Sequence, residues 1–441
     1  MECMSDSRVP TEVELVFEVM PCNALRVAQE PGQQPHSCSY FRSWGTYHSY
    51  DYETAGPPPQ RGIVQKSQYL GRAPLLPELL SGCRKAPIMA VGINPNLPGW
   101  WPNTQNSINP LFDDFQQYAH YFRYREVAKL QLPQADYTAF GGGPQDAPPT
   151  SKLELAVPKD EHGIRTIRVE LQDQKMYQAY QLLLEEVAVA LRLPTDHKLT
   201  IGEDLSYGNM IACPSAKWTT KADPSNPSLP PMTLAQQAGI VEECFHTRQY
   251  FLRQLFQSLP ALLLVFSQST ANAFIGALKG RFSMGNPNVN DPVGTLLDRD
   301  IRLKYGDLPN GTELDSEVIF APHPTGDPVD WATAKPKVIQ KLKASAEAGR
   351  IQYNPTTKHL TRPGGSCSFC TMLEIGPCDY LEEIKPLPVP LQLAGISVPT
   401  PAVDKPVQNE LLKEFIRTTR PALDGWISSD DGCNRDSAKN G

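Results

Sequence analysis

Three thiols fall within twelve residues of one another in Cys367-Ser368-Phe369-Cys370 and Cys378, just after Gly364-Gly365. Thiolates at this spacing, preceded by glycines that let the backbone wrap tightly, suit zinc or an iron–sulfur cluster; the ligand type alone does not choose between them. One or two further ligands have to come from elsewhere, and Cys213 and Cys244 are the natural suppliers. Cys3, Cys22, Cys38, Cys83 and Cys433 show no comparable spacing. A second collection of polar and conformationally special residues follows four short apolar runs: Asn94-Pro95-Asn96, Cys213-Pro214, Gln268-Ser269 and Pro324-Thr325-Gly326. Four such tips in one chain point to a ligand site.

The apolar runs are the elements that must position those tips. Ile88–Asn94 (IMAVGIN), Asn209–Cys213 (NMIAC), Ala261–Ser267 (ALLLVFS) and Glu317–His323 (EVIFAPH) lack alternation, as parallel strands covered on both faces do. Helical spacing of apolar residues marks Gln174–Arg192, Ile240–Leu259 and Thr270–Leu278. Strands alternating with helices predict an α/β fold, a three-layer α/β/α sandwich around a central, mostly parallel four-stranded sheet. In such a sheet the ligand lies beyond the carboxyl ends of the strands, where the four tips are. Lys152–Gln172 reads as an inserted hairpin turning at His162-Gly163. The expected organisation is an N-terminal extension over 1–85 and an α/β domain over 86–335 with insertions at 143–173 and 214–238. A C-terminal segment carrying the cysteine cluster follows over 336–425, then a disordered tail over 426–441.

The 43 prolines cluster in 95–110, 143–158, 214–231 and 386–406, which marks long ordered loops or linkers rather than a periodic repeat. A net charge of −7 excludes binding of nucleic acid by bulk charge, so any DNA contact needs a local basic face. Lys335, Lys337, Lys341, Lys343 and Arg350 form such a stretch just past the last strand. There is neither an apolar run of membrane-spanning length nor a basic-then-apolar leader, so no membrane partner and a cytoplasmic location are expected.

The segment Met89-Ala90-Val91-Gly92-Ile93-Asn94-Pro95-Asn96 resembles the first motif of the uracil-DNA glycosylase superfamily, in the GINPG form of its mismatch-specific and thymine-DNA glycosylase branch. Ala321-Pro322-His323-Pro324-Thr325-Gly326 is similar to the second motif, an HPS-type loop. LLVFSQSTANAF, ending at Phe274, is similar to the family's third strand and following helix. The resemblance spans residues 86–335, with insertions. It implies a monomeric, monofunctional DNA glycosylase that flips out a pyrimidine and hydrolyses its N-glycosidic bond, leaving an abasic site. By the same resemblance Asn94 orients the attacking water, being too weak a base to deprotonate it. His323 faces the base O2 and shares its developing charge. Thr325, with the backbone of Gly326, holds a DNA phosphate, and Asn209, at the start of the second strand, reads the base edge. Cys213 and Cys244 are similar to ligands of the family's iron–sulfur branch. That favours a [4Fe–4S] cluster over zinc, on Cys213, Cys244, Cys367 and Cys370 with Cys378 as the substitute. Members of that branch carry their paired cysteines near the N-terminus, whereas the pair here is C-terminal.

Asn96 occupies the position where uracil-selective members carry a tyrosine that blocks C5 substituents, so an open pocket and a C5-modified pyrimidine are expected, such as hydroxymethyl- or glucosyl-hydroxymethylcytosine of phage DNA. Trp100, Trp101 and Phe112 are the candidates for stacking on the base. Val329 is the aliphatic candidate for a wedge, although Asp327 and Asp330 beside it repel phosphate. Alternatives are a uracil-DNA glycosylase of base-excision repair and a non-catalytic nucleic-acid-binding protein on the same fold. A nuclease or repair subunit with an iron–sulfur clamp is disfavoured, because no acidic metal triad stands on the strand ends.

Overall fold

The computed structural model describes residues 36–43, 46–47, 50–51, 64–65, 74–75, 82–83, 86–95, 124–125, 127–132, 159, 161–169, 175–215, 218–221, 231–308, 311–326, 328–355, 358–362 and 405–419. Its centre is a six-stranded sheet built from β1 (Ile88–Gly92), β2 (Leu205–Asn209), β3 (Leu262–Phe266), β4 (Phe282–Met284), β5 (Ile301–Asp307) and β6 (Glu313–Ala321), in the order β4-β5-β6-β3-β1-β2. β6, β3, β1 and β2 run parallel; β4 and β5 join antiparallel at one edge. The fold is therefore α/β with a mostly parallel sheet, and the four expected strands are its parallel part.

Both faces of the sheet are buried, and the sequence shows why. In β3, Leu263 and Val265 enter one apolar core while Leu262, Leu264 and Phe266 enter the other; Met89 and Val91 against Ile88 and Ala90 divide β1 in the same way. The first core is filled by helices α2 (Leu234–Val241), α3 (Tyr250–Ser258) and α4 (Gln268–Ala277) and by α7 (Lys405–Thr419). The second is filled by α1 (Lys175–Ala190) and α6 (Pro328–Glu347), with Leu297 of the short helix α5 (Val293–Leu297).

Several expectations need correction. The second strand ends at Asn209 instead of beginning there. Leu205 and Tyr207 alternate into the α1 core, while Met210 and Ile211 continue past the strand, still bonded to Gly92 O and Ile93 O at 3.0 and 2.9 Å. The sheet has six strands rather than four because IRLKYGD of β5 alternates, burying Ile301, Leu303 and Tyr305, as an antiparallel strand does. Strand Arg165–Val169 pairs antiparallel with Val127–Leu132, so its partner precedes the expected hairpin. The single helix expected over Ile240–Leu259 is three pieces. A capping box of Thr233 and Gln236 starts α2, a π-helical turn spans Glu242–Thr247, and Gln249 at φ 60° breaks the path before α3.

The division at 335/336 runs through the body of α6, and the extension over 1–85 contributes Cys38, Tyr40 and Phe41 to the first core. Helix α7 likewise packs Phe415 edge-on against Phe256, with ring centres 5.0 Å apart. Among the described residues, no helix is long and apolar enough to cross a membrane.

Candidate active site at the carboxyl edge of the sheet

Register fixes the floor of the site. Gly92 pairs with Asn209, Val91 with Val265 and Phe266 with Ala321, so Asn209, Gly92, Phe266 and Ala321 form one row across the carboxyl ends of the four parallel strands. Asn94 and His323 each lie two residues beyond that row, on strands separated only by β3. Neighbouring strands stand about 4.8 Å apart, so the tips of β1 and β6 are about 10 Å apart, wide enough for a flat ring between them. Ser267 closes the middle of the edge. Its N–H donates to Ala321 O at 2.9 Å, and it holds a φ of 82°, a strained value for a residue with a side chain. Its hydroxyl caps α4 by accepting from the Thr270 N–H.

Asn94 is held by the loop after β2. Its Nδ2 donates to Ser215 Oγ at 2.8 Å, to Pro95 O at 3.1 Å and to Cys213 O at 3.3 Å, and Ser215 N–H returns a bond to Pro95 O at 3.0 Å. With the amide hydrogens committed, Oδ1 is the atom left to accept from a small ligand such as water.

His323 is fixed in the opposite sense. The Thr325 N–H donates to its Nδ1 at 3.2 Å and the Thr325 hydroxyl lies 3.1 Å from the same nitrogen. A ring nitrogen that accepts carries no proton, so the neutral ring carries its hydrogen on Nε2 and is a donor there. Burial holds the imidazole's pKa below its ordinary 6.5. Protonation would put a hydrogen on Nδ1 and break the bond from Thr325. The contribution to stability is therefore complete above pH 6.5 and is lost as pH falls through the lowered value. We expect the His323 ring-proton resonance to titrate with a midpoint below 6.5; a midpoint at or above 6.5 would contradict this environment.

Asn209 is buried on the last row, and its Oδ1 accepts from the Tyr207 hydroxyl at 2.8 Å. Sequence reasoning missed Tyr207; the only available signal was that alternate residues of one strand share a face. Thr325 and Gly326 are exposed beside His323, but the Gly326 N–H already donates to His323 O at 2.9 Å and the Thr325 N–H is spent on the imidazole. The Thr325 hydroxyl is likewise engaged with the imidazole, 3.1 Å from Nδ1. Asn96, Trp100, Trp101 and Phe112 lie outside the described residues.

Each residue of the basic stretch expected to flank DNA is paired with a carboxylate. Lys335 pairs with Glu186, Lys337 with Asp298, Lys341 with Asp300, Lys343 with Glu347 and Arg350 with Asp315. Three of these five carboxylates, Glu186 on α1 and Asp298 and Asp300 in the turn between α5 and β5, precede the stretch by more than thirty residues, out of sight of any local charge count. Val329, by contrast, is 72 % exposed in the first turn of α6, directly after the His323 loop.

Cys213 and Cys244 line the same cavity, and Cys38 lines it with them. All three thiols are buried, and the cavity, a small one of about 10 Å³, is also lined by Phe41, Ile211 and Ile240. The Ala212 N–H donates to Cys244 Sγ at 3.3 Å. Cys38 was missed because nothing in its spacing announces it; the aromatic stretch around it, SCSYFRS, was the only hint of burial. Cys367, Cys370 and Cys378 lie outside the described residues. Among the described residues, no group of three or more His, Cys, Asp or Glu converges to hold a single metal ion.

Compared with protein-family models and with curated protein sequences, the chain matches none. The site's own atoms offer an acceptor on Asn94, a donor on His323 and a buried amide on Asn209, all along one edge.

Proposed function

We propose that this protein is a monofunctional DNA glycosylase, built as a three-layer member of the uracil-DNA glycosylase superfamily, that hydrolyses the N-glycosidic bond of a flipped pyrimidine carrying a C5 substituent. The observation that carries the reading is the opposed polarity of the two strand tips, an acceptor at Asn94 Oδ1 and a donor at His323 Nε2.

In the proposed reaction the bond between sugar C1′ and base N1 breaks, and the electron pair leaves with the base. His323 donates from Nε2 to the base O2, where that charge collects, and stays neutral throughout. Asn94 Oδ1 accepts a hydrogen bond from the water that adds to C1′, aiming it rather than deprotonating it. The proton of that water and the charge on the base cancel in the products, a free base and an abasic sugar. Among the described residues no lysine stands at the strand tips to form a Schiff base, and the proposed reaction leaves the sugar–phosphate strand intact. Val329 is the proposed wedge into the gap left by the flipped nucleotide. Phosphate contact by Thr325 would require its hydroxyl to turn away from the imidazole, and the paired lysines of α6 would have to exchange their carboxylates for phosphate. The test is incubation with duplexes carrying uracil, a thymine mismatch, 5-hydroxymethylcytosine or its glucosylated form, with released base identified by mass spectrometry. Release of a C5-substituted base supports the reading, whereas release of uracil alone removes the argument from the open C5 side.

The cofactor proposed with this reading is a [4Fe–4S] cluster. Cys38, Cys213 and Cys244 would hold it with a fourth thiolate from Cys367, Cys370 or Cys378. Its contribution would be structural, tying three distant segments of the chain to the edge that carries Asn94. Protein purified without oxygen is expected to contain iron and acid-labile sulfide. In the Cys38→Ala variant both should fall to less than half of the wild-type content, and in Cys83→Ala, whose thiol lies apart from the cavity, both should hold. Full iron content in Cys38→Ala would remove this residue from the ligand set.

A further inference from the structure

We propose that Tyr207 is a positioning residue that sets which end of the Asn209 amide meets the base, and so makes the site prefer 4-oxo over 4-amino pyrimidines. The inference rests on the glycosylase reading above. Tyr207 and Asn209 are alternate residues of β2 and project from the same face of the sheet. The Tyr207 ring is clamped between Tyr177, edge-on at 5.4 Å, and Tyr180, tilted at 5.8 Å, which fixes where its hydroxyl can reach. That hydroxyl donates to Asn209 Oδ1 at 2.8 Å in a fully buried contact.

Room for the contact comes from the adjoining strand. A Cβ on Gly92, directly opposite Asn209 in the register, would lie 2.4 Å from the Tyr207 hydroxyl and 2.9 Å from Asn209 Oδ1. The glycine of the first tip motif is thus the residue that lets the phenol and the amide meet.

The consequence for recognition follows from the polarity of an amide. A phenol hydroxyl is a better donor than acceptor, because its oxygen lone pair is delocalised into the ring. Flipping the Asn209 amide would set its NH2 against that hydroxyl and leave the phenolic proton without the carbonyl. The amide is therefore held with Oδ1 towards Tyr207 and the two Nδ2 hydrogens directed elsewhere. Those hydrogens match the O4 acceptor of uracil and its 5-substituted relatives, and the second lone pair of Oδ1 remains for their N3–H. A cytosine ring presents the reverse pattern, a donor at N4 and an acceptor at N3, and meets like against like. The expected C5-modified substrate is accordingly a 5-substituted uracil rather than a cytosine derivative.

The experiment compares wild type, Tyr207→Phe and Gly92→Ala on duplexes that differ only in the target base: uracil, 5-hydroxymethyluracil, cytosine or 5-hydroxymethylcytosine. Mass spectrometry of released base reads the slow members. Wild type should favour the 4-oxo member of each pair. Tyr207→Phe, which keeps the ring in its clamp and removes only the hydroxyl, should lower the 4-oxo to 4-amino ratio of kcat/KM about tenfold, the equivalent of about 1.4 kcal/mol. Gly92→Ala should lower it in the same direction. The ratio is taken on one enzyme preparation, so any inactive fraction cancels. Both rates falling in parallel, an unchanged ratio, or a wild-type preference for 4-amino bases would overturn the assignment of Tyr207. Release of no base from any duplex by wild type would instead bring down the glycosylase reading itself.

Discussion

Replacing His323 by alanine is expected to slow base release by about 10²–10³-fold while leaving DNA affinity within a few-fold of wild type. The size follows from the kind of group it is. A donor already aimed at the place where charge will develop, and already neutral, costs nothing to reorganise when the bond breaks, and loss of one such donor typically costs about 3–4 kcal/mol of transition-state stabilisation. The imidazole satisfies both conditions: the Thr325 N–H at 3.2 Å fixes its tautomer and burial keeps it uncharged. Among the described residues the imidazole bonds only to Thr325, two residues away, so truncation should change folding stability by less than about 1 kcal/mol. Single-turnover kinetics on a duplex with one target base, beside anisotropy measurements of binding, separates the two effects. A His323→Ala enzyme with wild-type turnover would take the imidazole out of the chemistry.

Asn94→Ala should show a comparable loss of turnover, about 10²-fold, together with a measurable loss of stability, because this side chain has two tasks. Its Nδ2 ties the β1 tip to the loop after β2 through Cys213 O and Ser215 Oγ, and its Oδ1 is the proposed acceptor for the attacking water. A misplacement of about 1 Å in a reacting group is enough for a loss of that size. Ser215→Ala separates the two tasks. It removes the 2.8 Å partner of the amide and leaves Oδ1 in place, so it should cost about 1 kcal/mol in a denaturant titration and only a few-fold in rate. If Ser215→Ala and Asn94→Ala slow the reaction equally, Asn94 is an anchor and nothing more.

Much of this arrangement was legible because burial on both faces leaves a plain mark. LLLVF of β3 has no polar residue to confuse it, and the polar tips after β1 and β6 stand out against their strands. The same logic misplaced β2, where the strand is LSYGN and the more apolar residues lie just past its end. Alternation in IRLKYGD was a readable signal for β5, but it says nothing about which sheet the strand joins. What the sequence withheld were pairings between distant segments. Cys38 meets Cys213 and Cys244 across a cavity wall, Lys337 and Lys341 find Asp298 and Asp300 beside α5, and Asp204 buries its carboxylate against His359 and the Leu360 N–H. Burial pushes that carboxyl's pKa up despite these bonds, so its task is to pin the strand Gln352–Asn354 and its partner His359–Thr361 to the start of β2, at the edge away from the candidate site. No spacing rule relates residues so far apart, and none of them could be found before the chain was folded.

The central claim is that the amide beyond β1 and the imidazole beyond β6 act on one extruded nucleoside. It is tested most directly by counting free base and abasic sites produced from a single-target duplex by wild type and by the Asn94→Ala/His323→Ala double variant, with DNA binding measured on both. The account predicts equal molar amounts of base and abasic site from wild type, and none from a double variant that still binds the duplex. Undiminished release by the double variant, or a wild-type protein that binds DNA and never frees a base, would contradict it.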